Sequence, residues 1–177
     1  MSTKIIIGIV AVVAAVLVAS TITTASLANL AFAQTGQKFT AKLTGKDEVP
    51  PKETKATGMA EFNPMGADSV TYSINATNIQ GVTMGHIHSG KPGENGPIVV
   101  TLFKYSSPKD QVLENGKITA DKLEGPMTGK KVSDLTSAMT NGETYVNIHT
   151  EKNPKGEIRG QISSSSGSGT GANSTAQ

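Results

Sequence analysis

An all-β fold, an antiparallel sandwich or partly closed barrel with one short helix, is what this chain predicts, on three observations. Apolar and polar residues alternate with period two in several short runs. Turn-forming clusters of Gly, Pro, Asn and Asp punctuate those runs at roughly 8 to 12 residue spacing. A single segment, "SDLTSAMTNG", has helical periodicity.

The elements follow in chain order. "KFTAKLTG" sets Phe39, Ala41 and Leu43 against polar neighbours, "GMAEFNP" ends in a turn, and "SVTYSINATNI" alternates Val70, Tyr72, Ile74 and Ala76 with Thr71, Ser73 and Asn75. Each reads as a half-buried strand. "PIVVTLF" is a continuous apolar run and "GKIT" a short candidate strand, while "ETYVNIHT" and "EIRGQIS" form two last strands around the turn "EKNPKG". The helix is expected near Ser133–Asn141, with Ser133 as N-cap, Leu135, Ala138 and Met139 as its apolar stripe and Gly142 beyond its end.

The ends read differently. "MSTK", the apolar run "IIIGIVAVVAAVLV" and "AFA" before Gln34 have the architecture of a signal peptide over residues 1–33, followed by a linker over 34–37. The alternative is an uncleaved membrane anchor, which the Ser- and Thr-rich stretch Ser20–Ser26 dilutes. Residues 38–162 form the β domain, and 163–177, "SSSSGSGTGANSTAQ", a disordered Ser/Gly-rich tail. The expected location is therefore secreted or cell-surface. With no cysteine among 177 residues, the domain relies on its core rather than on disulfides, and thiolates are excluded as ligands or nucleophiles. "NAT" at Asn75 and "NST" at Asn173 are formal glycosylation acceptors.

Composition removes other classes. A net charge of +2, no basic cluster and 4% aromatic residues exclude an electrostatic or stacking platform for nucleic acid. No Ser or Thr stands in a nucleophile elbow, and the Gly- and Pro-rich "GHIHSGKPGENGP" lacks a phosphate-loop pattern leading into a helix, so no hydrolase or phosphate site is assigned.

"GHIHSG" raises the functional question. With Ile87 pointing into the core, His86 and His88 both point away from it, ~7 Å apart along the strand. By the same alternation Val146, Ile148, Ile158 and Ile162 point inward, and Tyr145, Asn147, His149, Glu157, Arg159 and Gln161 outward. All three histidines of the chain thus fall on the non-core face. A neighbouring placement of the two segments would bring them together as a three-nitrogen site suited to copper or zinc. In "DEVPP", Glu48 precedes two prolines that restrict the chain, and Arg159 is the lone arginine; pairing of Glu48 or Glu157 with it would tie one end of the domain to the last strand.

"FTAKLTGKDEVPP", "ATGMAEF", "GHIHSGKPGENGPIVVTLF" and "YVNIHTEKNPKGEIRGQI", in that order, resemble the successive motifs of the CHRD domain, the module named for its repeats in chordin and found alone in exported microbial proteins. Glu48, Val49, Pro50, Pro51, His86, His88, Gly96, Pro97, His149, Gly156, Glu157, Arg159 and Gly160 have counterparts in that pattern. The resemblance implies an extracellular binding or structural role, since in chordin these modules belong to a secreted antagonist of growth factors. The H-x-H strand with a late histidine is also locally similar to copper/zinc superoxide dismutase. That enzyme needs more histidines, a zinc-binding aspartate and usually a disulfide, so full dismutase activity is not expected.

Two readings remain. The one favoured by the sequence is an exported, non-catalytic CHRD module that binds an extracellular or cell-surface protein, a matrix component or another copy of itself. The alternative is a mononuclear copper- or zinc-binding protein in which His86, His88 and His149 supply the nitrogens, Glu157 orients one of them and Arg159 attracts an anion, with dismutase-like redox chemistry as its further extension.

Overall fold

The computed structural model describes residues 36–165. The segment expected to be a signal peptide, residues 1–33, and most of the expected Ser/Gly-rich tail lie outside the described residues. Among the described residues nine strands, all paired antiparallel, form one sheet: β1 Phe39–Thr44, β2 Thr57–Pro64, β3 Val70–Thr77, β4 Val82–Ser89, β5 Ile98–Lys109, β6 Val112–Ile118, β7 Thr144–Thr150, β8 Ile158–Gln161 and the short β9 Ser163–Ser164. The order across it is β5-β4-β7-β8-β1-β2-β3-β6, with β9 pairing β1. The two outermost strands, β5 and β6, are consecutive in the chain and joined by Asp110–Gln111, so their connection draws the edges of the sheet towards each other. The Tyr72 hydroxyl donates to the Leu102 carbonyl and Tyr105 Oη to Glu114 Oε1 at 2.9 Å, which ties the two sides of the seam together. The all-β reading with one helix holds, as a nearly closed barrel.

Period-two burial runs where the sequence places it. Phe39, Ala41 and Leu43 of β1, Ala60 and Phe62 of β2, and Val70, Ile74 and Ala76 of β3 enter one apolar core. β5 departs from alternation because its pairing with β4 shifts register at three points, and the two at Gly85/His86 and Ile87/His88 let Val99–Val100 and Leu102–Phe103 each bury consecutive residues. This is the physical origin of the continuous apolar run. β6 starts at Val112 rather than Gly116. Its inner face carries Glu114 and Gly116 between Val112 and Ile118 while Leu113 is 71% exposed, so the apolar pattern does not mark its first half.

The helix, α1 Val132–Thr140, buries Val132, Leu135 and Met139 in the same core. It begins earlier than the sequence suggests: Lys131 is the N-cap, and Asp134 Oδ2 accepts from its backbone N–H at 2.9 Å, so Ser133 sits inside the first turn. Ser163 and Ser164, placed by the sequence in the tail, pair with Thr40 and Phe39, and Ser165 N–H donates to the Lys38 carbonyl.

Candidate metal centre

β4 and β7 lie side by side in the sheet, with Met84 opposite His149, His86 opposite Asn147 and His88 opposite Tyr145. Ile87, Val146 and Ile148 fill the core from one face, so the other face collects His86, His88, Asn147 and His149. The convergence that the sequence left conditional is formed. His86 Nδ1 stands 2.9 Å from His149 Nε2, and one nitrogen from each of the three rings lies within 4.8 Å of the other two. Ring centroids are 4.8 Å apart for His86 and His149, 5.6 Å for His86 and His88, and 6.1 Å for His88 and His149.

This face is not wet. Every residue of β7 is buried, and His86 and His149 are only 5% and 7% exposed. Loops carrying carbonyl groups form the cover. The Gly96 carbonyl sits 2.9 Å from His88 Nδ1 and the Pro154 carbonyl 3.0 Å from His149 Nδ1. A carbonyl only accepts, so both Nδ1 atoms carry the proton and both Nε2 atoms present a lone pair. Gly96 makes its contact because the loop folds back tightly on β4: a Cβ there would lie 1.7 Å from the Ser89 carbonyl oxygen. His88 Nε2 is buried with no hydrogen-bond partner, which is uncommon for a buried ring nitrogen.

Burial also keeps the rings neutral. The His86 pKa falls to about 4, through desolvation first and then through His149, His88 and Lys104. Desolvation lowers those of His88 and His149 as well, with Arg159 adding to the effect on His88 and His88 to that on His149, against the opposing carbonyl hydrogen bonds. Three neutral imidazoles near pH 7 are in the form that ligates metal.

Residues 39–162 match the family model described as the CHRD domain. The chain belongs to the CHRD family. No curated protein matches it.

Tyr145, Arg159, Glu157 and Glu48 are not members of the trio. Tyr145 stacks on His88 at 4.9 Å with 8° between the ring planes, and the Arg159 guanidinium lies 3.4 Å from the Tyr145 centroid. Arg159 is 2% exposed and donates to Asn95 Oδ1 and to the Lys91 and Glu94 carbonyls, so it holds the loop that carries Gly96. Glu157 accepts from Thr54 and Thr150 at 2.7 Å each and from Asn153 at 3.1 Å, and touches no histidine. Burial works to raise its pKa, but those hydrogen bonds outweigh it and hold the carboxyl below its ordinary value. Glu48 Oε1 accepts from Asn147 Nδ2 at 2.6 Å; burial pushes its pKa up to about 7 against the lowering influence of Arg159, Lys52 and Asn147.

The expected pairing of Glu48 or Glu157 with Arg159 is therefore corrected. Among the described residues the one ion pair is Lys109–Glu114, at 3.9 Å. Each carboxylate has found neutral donors nearer to it, and the guanidinium is taken up by loop oxygens. A cavity of about 430 Å³, bordered by Glu48, Lys52, His88, Asn95, Tyr145 and Lys155, opens beside His88. Alternation in the sequence already set Tyr145 and Asn147 on this face. The Gly96 and Pro154 carbonyls left no trace in it, because a backbone oxygen carries no residue signature.

Proposed function

We propose that this CHRD domain binds a single copper or zinc ion through His86, His88 and His149. The observation that carries the reading is the buried, unpartnered Nε2 of His88, facing two other imidazoles whose nitrogens lie within 4.8 Å. His88 and His149 offer Nε2 because backbone carbonyls hold their Nδ1 protons; His86 Nδ1 donates its proton to His149 Nε2 in the metal-free chain and offers its lone pair once the ion displaces that hydrogen bond and the ring proton moves to Nε2. Three nitrogen donors leave a further coordination position, and the cavity beside His88 is the route to it. On this reading the domain works outside the cytoplasm as a non-catalytic module, delivered by its N-terminal segment, and presents its outer strands to an extracellular or cell-surface protein or a matrix component.

Calorimetric titration of Cu(II) and of Zn(II) into the purified chain tests the site. One equivalent binds the wild type, and His149→Ala weakens binding by more than about a hundredfold, beyond the 10–100-fold that loss of a supporting contact costs. Equal affinity in the two proteins, or no binding to either, removes the three-histidine site.

A further inference from the structure

Met84 stands on the same face of β4 as the two histidines, and for a reason local to that strand. Val82 and Ile87 are both fully buried in the core although five positions apart, which strict alternation forbids. The pairing of β4 with β7 shifts by one residue between Val82 and Met84. Beyond that bulge Gly85 faces the Phe103 ring, Ile87 faces the core, and Met84, His86 and His88 share the opposite side. Met84 is opposite His149 in register, where Cβ atoms approach to ~4.5–5.5 Å. It is half-buried and is not one of the core residues, whereas Met127 and Met139 are. Its packing leaves the unbranched, three-torsion thioether without an apolar task.

We infer that Met84 supplies a fourth, thioether ligand to the histidine site and makes it a Cu(I) site rather than a zinc site; this rests on the three-histidine reading above. Thioether sulfur is a soft donor and selects Cu(I) among the ions that imidazole tolerates. Charge points the same way. All four donors are neutral, Glu48 and Glu157 are bound elsewhere, and Arg159 and Lys104 act on His88 and His86 as positive neighbours. Burying a monovalent ion in such surroundings costs far less than burying a divalent one, because solvation energy scales with the square of the charge.

The test measures Cu(I) affinity anaerobically, by competition with a chromophoric Cu(I) chelator, and Zn(II) affinity by calorimetry, for the wild type and Met84→Leu. Leucine conserves volume at this half-buried position. The expected result is a loss of Cu(I) affinity of tenfold or more with Zn(II) affinity changed less than twofold. Copper K-edge absorption of the Cu(I)-loaded wild type should contain a sulfur shell, which in a chain without cysteine comes from methionine, and Met84→Leu should lack it. Unchanged Cu(I) affinity, an equal loss for both metals, or a spectrum of nitrogen neighbours alone overturns the assignment of Met84 while leaving the histidine site intact. A wild type that binds neither metal overturns both.

Discussion

Replacing Glu48 by glutamine should stabilise the metal-free domain at neutral and alkaline pH, although it removes a charge next to an arginine and a lysine. Glu48 is 5% exposed, and its pKa rises from 4.5 to about 7. A group raised in this way contributes stability that is fully present below pH 4.5 and is lost as pH climbs through 7. At about 1.4 kcal/mol per pH unit, the loss reaches about 3 kcal/mol by pH 8. Glutamine keeps an oxygen that accepts from Asn147 Nδ2 and carries no charge to desolvate. His86 acts in the opposite direction. Its pKa falls from 6.5 to about 4, so its contribution, again about 3 kcal/mol, is present above pH 6.5 and lost as pH falls towards 4. In the wild type the two dependences oppose each other between about pH 4.5 and 6.5; in Glu48→Gln the histidine dependence stands uncovered. Urea unfolding followed by far-UV circular dichroism at pH 4.5, 6 and 8, with chelator present, reads both effects. The variant should gain on the wild type by about 3 kcal/mol between pH 4.5 and 8, and its own stability should fall more steeply on acidification. A constant offset between the two proteins across that range would refute the argument, since it would mean that the carboxyl does not titrate differently in the folded chain.

Gly156 has φ +128°, and a Cβ there would lie 2.3 Å from Asn147 Nδ2 and 2.6 Å from Glu48 Oε1. Gly156→Ala should therefore cost about 3 kcal/mol in chemical denaturation, and a change below ~0.5 kcal/mol would show that the loop adjusts freely. For the export proposal, N-terminal sequencing of the chain recovered outside the expressing cell should begin at Gln34; a chain starting at Met1 and held in the membrane fraction would support a retained anchor instead.

Much of the fold was legible because strand burial has a period of two, and the residues that carry it here are ordinary. Phe39, Ala41 and Leu43, or Val146 and Ile148, announce one buried face whatever packs against it. The helix was legible in its stripe, Leu135, Ala138 and Met139, but not in its start, because Lys131 caps through its backbone and Asp134 supplies the side chain. The first half of β6 was hidden: Leu113 points to solvent, and Gly116 leaves room for the Tyr72 ring rather than adding apolar surface of its own.

For the site, alternation alone determined that His86, His88 and His149 share the non-core face. It could not bring them together, because β4 and β7 are separated in sequence by β5, β6 and α1, and only the strand order makes them neighbours. Nor could it tell that this face is covered, since the cover consists of loops whose contribution is backbone carbonyls at Gly96 and Pro154. The partners of Glu48, Glu157 and Arg159 were likewise decided in three dimensions. Charge type suggested that they would pair with one another, but hydrogen-bonding groups that β7 and the loops brought nearer took each of them first, since a hydrogen bond depends on distances of a few tenths of an ångström that no spacing in the chain encodes.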